Sequence, residues 1–143
     1  MTNDTTRKTQ FETPLSDERT VLGRARARVA DVAKLRRDRI ESTITLEKTR
    51  LALKRREAAL ALSNNEAGDP LISGKNEAMR AAQLRELCEF DAEYSALETD
   101  VETLSKGAAA LAADLETQTD YLRLDRLELL LMASPAVVEA VGR

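Results

Sequence analysis

The stretch LCEFDAEYSALETDVETLSKGAAALAADLETQTDYLRLDRLELLLM, residues 87–132, decides the fold. Within it Leu87, Tyr94, Val101, Ala108, Leu115, Leu122 and Leu129 recur every seven residues. Offset by three lie Phe90, Leu97, Leu104, Leu111, Gln118, Asp125 and Met132. Twelve of these fourteen positions are apolar. A seven-residue apolar repeat held this long is the pattern of a helix lying against another along a coiled-coil seam.

Working outward, the nearest punctuation upstream is AGDPLISG, residues 67–74, with two Gly and one Pro. Such a cluster ends one helix and begins another. Before it, from Ser16 to Glu66, only Gly23 interrupts a helical sequence, and Thr13-Pro14 stops that helix from extending backward. Downstream, Ser134-Pro135 closes the heptad helix and opens a short third element, AVVEAV, that ends at Gly142. The chain is therefore read as all-α: a mobile polar tail (1–15), a helix (16–66), a loop (67–75), a helix (76–133) and a short C-terminal helix (135–141). Two helices of similar length on a short loop predict a long antiparallel hairpin, one domain in 143 residues.

The first helix carries a different period. Val29, Ile40, Leu51 and Leu62 are eleven apart, as are Leu22, Ala33, Ile44 and Arg55. An eleven-residue repeat drifts oppositely to a heptad, so the two helices do not share an ideal supercoil. Either they pack irregularly or one of them meets more than one neighbour. A loop centred near Leu71 predicts Leu51 beside Phe90, Ile44 beside Leu97 and Ile40 beside Val101. It also brings Ala30 and Ala33 against Gly107-Ala108-Ala109-Ala110, where small residues permit close approach.

Charge divides the same way. Residues 19–56 hold 13 Lys/Arg and 4 Asp/Glu, whereas residues 57–143 hold 7 and 17. The net charge of −3 hides this asymmetry. A basic helix folded on an acidic one is favoured over two like-charged helices together.

Composition excludes much chemistry. With no His and one Cys, the chain lacks the usual zinc sets, Ser-His-Asp triads and disulfide frameworks. No cofactor and no enzymatic activity are expected. Glu86, Glu89, Asp91 and Glu93 read as a solvated acidic face rather than a metal cluster, and Cys88, beside the seam, as a small hydrophobe. No apolar run approaches a membrane span, and the polar N-terminus is no signal peptide. A soluble, cytoplasmic protein with no membrane partner is expected.

Three sets of residues are candidates for binding. The first is Lys75, Asn76 and Arg80 in ISGKNEAMR. Asn76 is a good helix cap, and two cations at a helix start suit an anion or nucleotide-like ligand, although Glu77 in the first turn opposes it. The plain alternative is a capped helix after a well-specified turn. The second set is Arg24, Arg28, Arg36, Arg37 and Arg39, which suit nucleic-acid phosphates. No aromatics interleave with them for stacking, so pairing with the acidic helix is the stronger reading and nucleic acid the weaker. The third set is the apolar end of the hairpin, Leu122, Leu127, Leu129, Leu130 and Val138. In the register above the first helix ends too early to cover it, and an exposed apolar surface of that size marks association. A homodimer or larger is the leading reading. Covering by the short third element, or by a foreign partner, are the alternatives.

The segments GKNEAMRAAQL and YLRLDRLELLL together resemble a group of small phage and prophage proteins, in which a Gly-Lys-Asn and a following Arg open a long helix with a Leu/Arg-rich end. The matched positions are Gly74, Lys75, Asn76, Arg80, Leu84, Leu122, Arg123 and Leu129, within residues 70–131. Ala78 and Met79 depart from the acidic residues that follow the Asn in that group. The resemblance implies a phage origin and a place in the host cytoplasm. The function expected is that of a non-enzymatic, oligomeric helical hairpin that sequesters or blocks a host protein or a small anionic ligand. A nucleic-acid-binding accessory or a structural assembly part is the alternative.

Overall fold

The computed structural model describes residues 18–133. Among them the chain is all-helical: α1 (Glu18–Ala61), α2 (Glu77–Phe90) and α3 (Ala92–Ala133). The short helix expected at 135–141 and the tail at 1–15 lie outside the described residues. The described chain divides into two compact units, residues 18–33 with 116–133, and residues 34–115, where length alone suggested one.

α1 ends at Ala61, five residues before Glu66. The polar run Ser63-Asn64-Asn65 takes the backbone out of the helix into a small closed turn. Asn65 N–H donates to the Asp69 carbonyl at 2.8 Å, and Leu71 N–H to the Ser63 carbonyl at 3.0 Å. The Asn65 side chain accepts from Asp69 N–H at 2.8 Å. Gly68 sits at φ 85°, a left-handed conformation that glycine adopts without the Cβ penalty.

The second expected helix is two. α2 stops at Phe90, and Asp91 takes an extended backbone, φ −85° and ψ 115°. The apolar repeat runs through this break in phase, since Leu87 and Tyr94 are both half-buried. Phe90 falls at the break and is 82% exposed. It is the one exposed member of the fourteen heptad positions; the others are half-buried or buried. The seven-residue pattern therefore marks the inward face of α2 and α3.

α1 reverses the expectation. Its most buried apolar residues are Val21, Ala25, Val32 and Leu46. With half-buried Arg28, Leu35, Ser42, Thr49, Leu53, Arg56 and Leu60 they too follow a seven-residue spacing. The eleven-residue set is the outward face: Leu22, Val29, Ile40, Ile44, Leu51 and Leu62 are all exposed. The inward heptad is hard to see because Arg28, Ser42, Thr49 and Arg56 occupy it, and a count of apolar residues passes over them.

The register shifts as well. Within residues 34–115, Arg56 is expected opposite residue 85 and instead meets Asp91. Leu51 and Phe90, expected to meet, are both exposed, as is Ile44, whereas Leu97 is half-buried. Within the other unit, Arg24 is expected opposite residue 117 and instead meets Asp125. In each unit α1 runs antiparallel to α3. The loop and the break at Asp91 together displace the turn toward the C-terminus. Gly107 does not mark a close approach: a Cβ built there meets nothing within 4 Å.

Two stability measurements check this frame. Leu46→Ala should cost about 2–3 kcal/mol in urea unfolding, while Leu51→Ala, five residues on but on the exposed face, should cost under about 0.5 kcal/mol. Gly107→Ala should raise stability by about 1 kcal/mol, because it fills open space and favours the helix.

Candidate functional site

The loop before α2 was the expected anion site. Asn76 is indeed the N-cap, and its side chain accepts from Met79 N–H at 2.8 Å. Its carbonyl takes Arg80 N–H at 3.1 Å. Ser73 and Gly74 N–H groups both donate to the Gln83 side-chain oxygen, at 3.1 and 2.9 Å. The amides of Ser73, Gly74, Met79 and Arg80 are thus already engaged by the chain. Gly74 is needed for closeness: a Cβ there would lie 2.8 Å from Met79 Cβ and from Arg80 N. Lys75 and Arg80 are exposed beside this closed turn. Gln83 was not singled out from the sequence, since a Gln one turn into a helix carries no signal of its own.

At the α2–α3 break one carboxylate organises the surroundings. Asp91 N–H donates back to the Cys88 carbonyl at 3.3 Å, while the Asp91 carbonyl accepts Ser95 N–H at 3.0 Å. Its side chain accepts Tyr94 N–H at 2.7 Å, which makes it the cap of α3. Arg56 of α1 grips the same carboxylate with two donors, at 2.9 and 2.6 Å, and reaches Glu93 at 2.9 Å. The Arg56 hydrogen bonds, then the Tyr94 amide, lower the Asp91 pKa from 3.8 to about 2. Asp91 and Glu93 are thereby turned to Arg56, so these two are not simply part of the solvated acidic face expected with Glu86 and Glu89. No three His, Cys, Asp or Glu side chains come together as metal ligands among the described residues.

An open hollow of about 670 Å³ lies beside this break, lined by Leu84, Cys88, Tyr94 and the carboxylates of Glu57, Glu89 and Glu98. Cys88 is buried, and burial first, then Glu57, Asp91 and Glu98, push its thiol pKa up. A thiol held protonated is a poor nucleophile.

The basic residues of α1 divide. In the unit formed by 18–33 and 116–133, Arg24 donates to Asp125 at 2.9 Å and to Glu128 at 2.6 Å. Arg28 Nε lies 2.6 Å from the other Asp125 oxygen, at an angle that makes it an ion contact without a hydrogen bond. The Arg28 guanidinium also stacks over Tyr121, 4.6 Å from the ring centre. Asp125 itself is 3% exposed. Arg36, Arg37 and Arg39 are exposed instead, and none of them forms an ion pair among the described residues. Within the chain, Arg24, Arg28 and Arg56 lie against acidic residues as expected, and these three do not.

Arg36 and Arg39 flank an apolar groove of about 480 Å³, whose other lining residues are Ile40, Thr43, Ile44 and Leu115. This groove was not legible in the sequence, because Ile40 and Ile44 had been placed at the seam. Of the expected interface residues, Leu122 is buried within its own unit and Leu129 is half-buried, whereas Leu127 and Leu130 are exposed. Val138 lies outside the described residues.

Comparison with protein-family models, with curated proteins and with solved structures gives no match. No helix among the described residues is long and apolar enough to cross a membrane.

Two substitutions check the local chemistry. A carboxylate with a lowered folded pKa contributes stability that is complete above its unfolded value and lost as pH falls through its folded value. The Asp91 contribution should therefore fade between about pH 4 and pH 2. Asp91→Asn should flatten the acid limb of a stability–pH curve in that window. Gly74→Ala should lower the thermal midpoint, since the new methyl meets the first turn of α2 at 2.8 Å.

Proposed function

We propose that the chain is a non-enzymatic helical protein that acts by binding, assembles with copies of itself, and works through the outward faces of its long helices. The observation that carries this reading is the second apolar face of α1. Ile40, Ile44 and Leu51 in one unit, and Leu22 and Val29 in the other, are exposed. Among the described residues six apolar side chains are buried and fourteen large ones are exposed. Burying one Leu contributes roughly 1.5–3 kcal/mol, so a chain with this balance gains much by meeting a partner. The resemblance to phage and prophage proteins belongs to the same proposal, with a host protein as the eventual target. A small anionic ligand at Lys75 and Arg80 is the weaker form of it, because the Gly74 and Met79 amides are engaged within the chain and Glu77 stands in the first turn.

A specific observation favours a second reading. Arg36, Arg37 and Arg39 remain exposed on α1, where they suit phosphates. Against it, Arg36 and Arg39 flank Ile40 and Ile44 rather than aromatics on which bases would stack.

Light scattering on the full chain at micromolar concentration should report two or more chains; a monomer throughout would overturn the self-association reading. Duplex DNA should not bind measurably at about 0.15 M salt, where exposed charges are screened beyond about 8 Å. Tight binding there, lost on Arg36→Glu with Arg37→Glu, would put the nucleic-acid reading first.

A further inference from the structure

We propose that the groove of residues 34–115, walled by Arg36 and Arg39 and floored by Ile40, Ile44 and Leu115, receives the outward face of the α3 end of a second copy. This rests on the self-association reading and names the two surfaces that meet.

The occupant is identified by pattern and by charge. Glu116, Asp120, Leu124, Leu127 and Leu131 follow one another at spacings of four, four, three and four, so they share one face of α3. All five are exposed, and Leu124 and Leu127 are 60% and 56% accessible. The inward face of the same segment is Gln118, Leu122, Asp125 and Leu129, which are half-buried or buried. On α1, Arg36, Ile40, Ile44, Glu47 and Leu51 repeat the same spacings, and all five are exposed. Each face opens on charge, Arg36 on α1 and Glu116 with Asp120 on α3, and apolar residues follow, with Glu47 interrupting those of α1. The signs are opposite. A parallel lay that matches these spacings brings Arg36 beside Glu116 and Arg39 beside Asp120, and sets Leu124 on Ile44 and Leu131 on Leu51, with Leu127 beside Glu47 one turn from Ile44. The existing pair of Asp120 with Arg123, at 2.7 Å, is an exposed one, and such pairs contribute little.

Charge also decides against the symmetric choice. Pairing the α1 groove with itself would set Arg36, Arg37 and Arg39 of one copy near the same residues of the other, in a helix segment already rich in positive charge. Opposite potentials favour association and like ones oppose it. The contact between groove and α3 end joins two different surfaces, so each copy offers one of each.

Complementation tests the proposal on the full chain. Ile40→Asp with Ile44→Asp disables the groove, and Leu124→Asp with Leu127→Asp disables the α3 face. Each variant alone should associate at least about tenfold more weakly than the unmodified chain, with its circular-dichroism spectrum unchanged because the positions are exposed. Mixed, the two should recover association, since one brings an intact groove and the other an intact α3 face. Arg36→Glu with Arg39→Glu should weaken association, and a partner carrying Glu116→Arg and Asp120→Arg should restore it. If the groove charge variant instead strengthens association, α1 pairs with α1 and the proposal falls. An oligomer untouched by either apolar variant overturns the docking while leaving self-association standing. A monomeric unmodified chain overturns both.

Discussion

The fork between Arg56 and Asp91 is the contact on which residues 34–115 depend. It is charge-assisted and two-pronged, a geometry that only a planar guanidinium gives to a carboxylate. Because Asp91 also caps α3, one side chain both ends the α2 ladder and ties the new helix start to α1. Sliding α1 by one turn would strand the arginine and leave the Asp91 carboxylate with its capping bond to Tyr94 alone. The fork thus sets where the helix breaks and which residues of α1 face inward. Ile40 and Ile44 are left outside as a consequence.

The other unit has a counterpart in Asp125. This carboxylate occupies a heptad position where an apolar residue would be ordinary, and it is almost wholly buried. Arg24 and Arg28 reach it from successive turns of α1, and Tyr121 supports Arg28 from the side. Replacing buried charges by apolar residues of matching shape often costs nothing in stability. What a charge at a seam supplies is discrimination between registers. Apolar residues at neighbouring turns tolerate a slip; an arginine pair aimed at one aspartate does not.

These two clusters explain the division of labour on α1. Its inward face holds Arg28, Ser42, Thr49 and Arg56 beside Val21, Val32 and Leu46, and a second set of branched apolar residues is left over. They collect on the opposite side, with exposed arginines beside them. A surface of this kind is suited to an apolar helix with acidic flanks, and α3 bears such a face near its end. The hollow beside Cys88 is different: Glu57, Glu89 and Glu98 line it together with Arg85, and burial pushes the thiol pKa up.

The sequence by itself determined the helices and one of their faces. Scarcity of Gly and Pro, the loop at 67–74 and the cap at Asn76 are local signals, and the heptad of α2 and α3 is apolar almost throughout. Each could be read without knowing what lay opposite. The Asp91 break had a weak local sign, an Asp ahead of Ala-Glu, hidden because the repeat passes through it in phase. The inward face of α1 was a tertiary decision. Four of its positions, Arg28, Ser42, Thr49 and Arg56, are polar, and the two arginines become interior only when a carboxylate stands across from each. The eleven-residue pattern was correctly present and wrongly assigned: periodicity shows that residues share a face, but not what that face meets. The register and the groove between Ile40, Ile44 and Leu115 followed from ion pairs between residues 35 to 104 positions apart, contacts that no local pattern records.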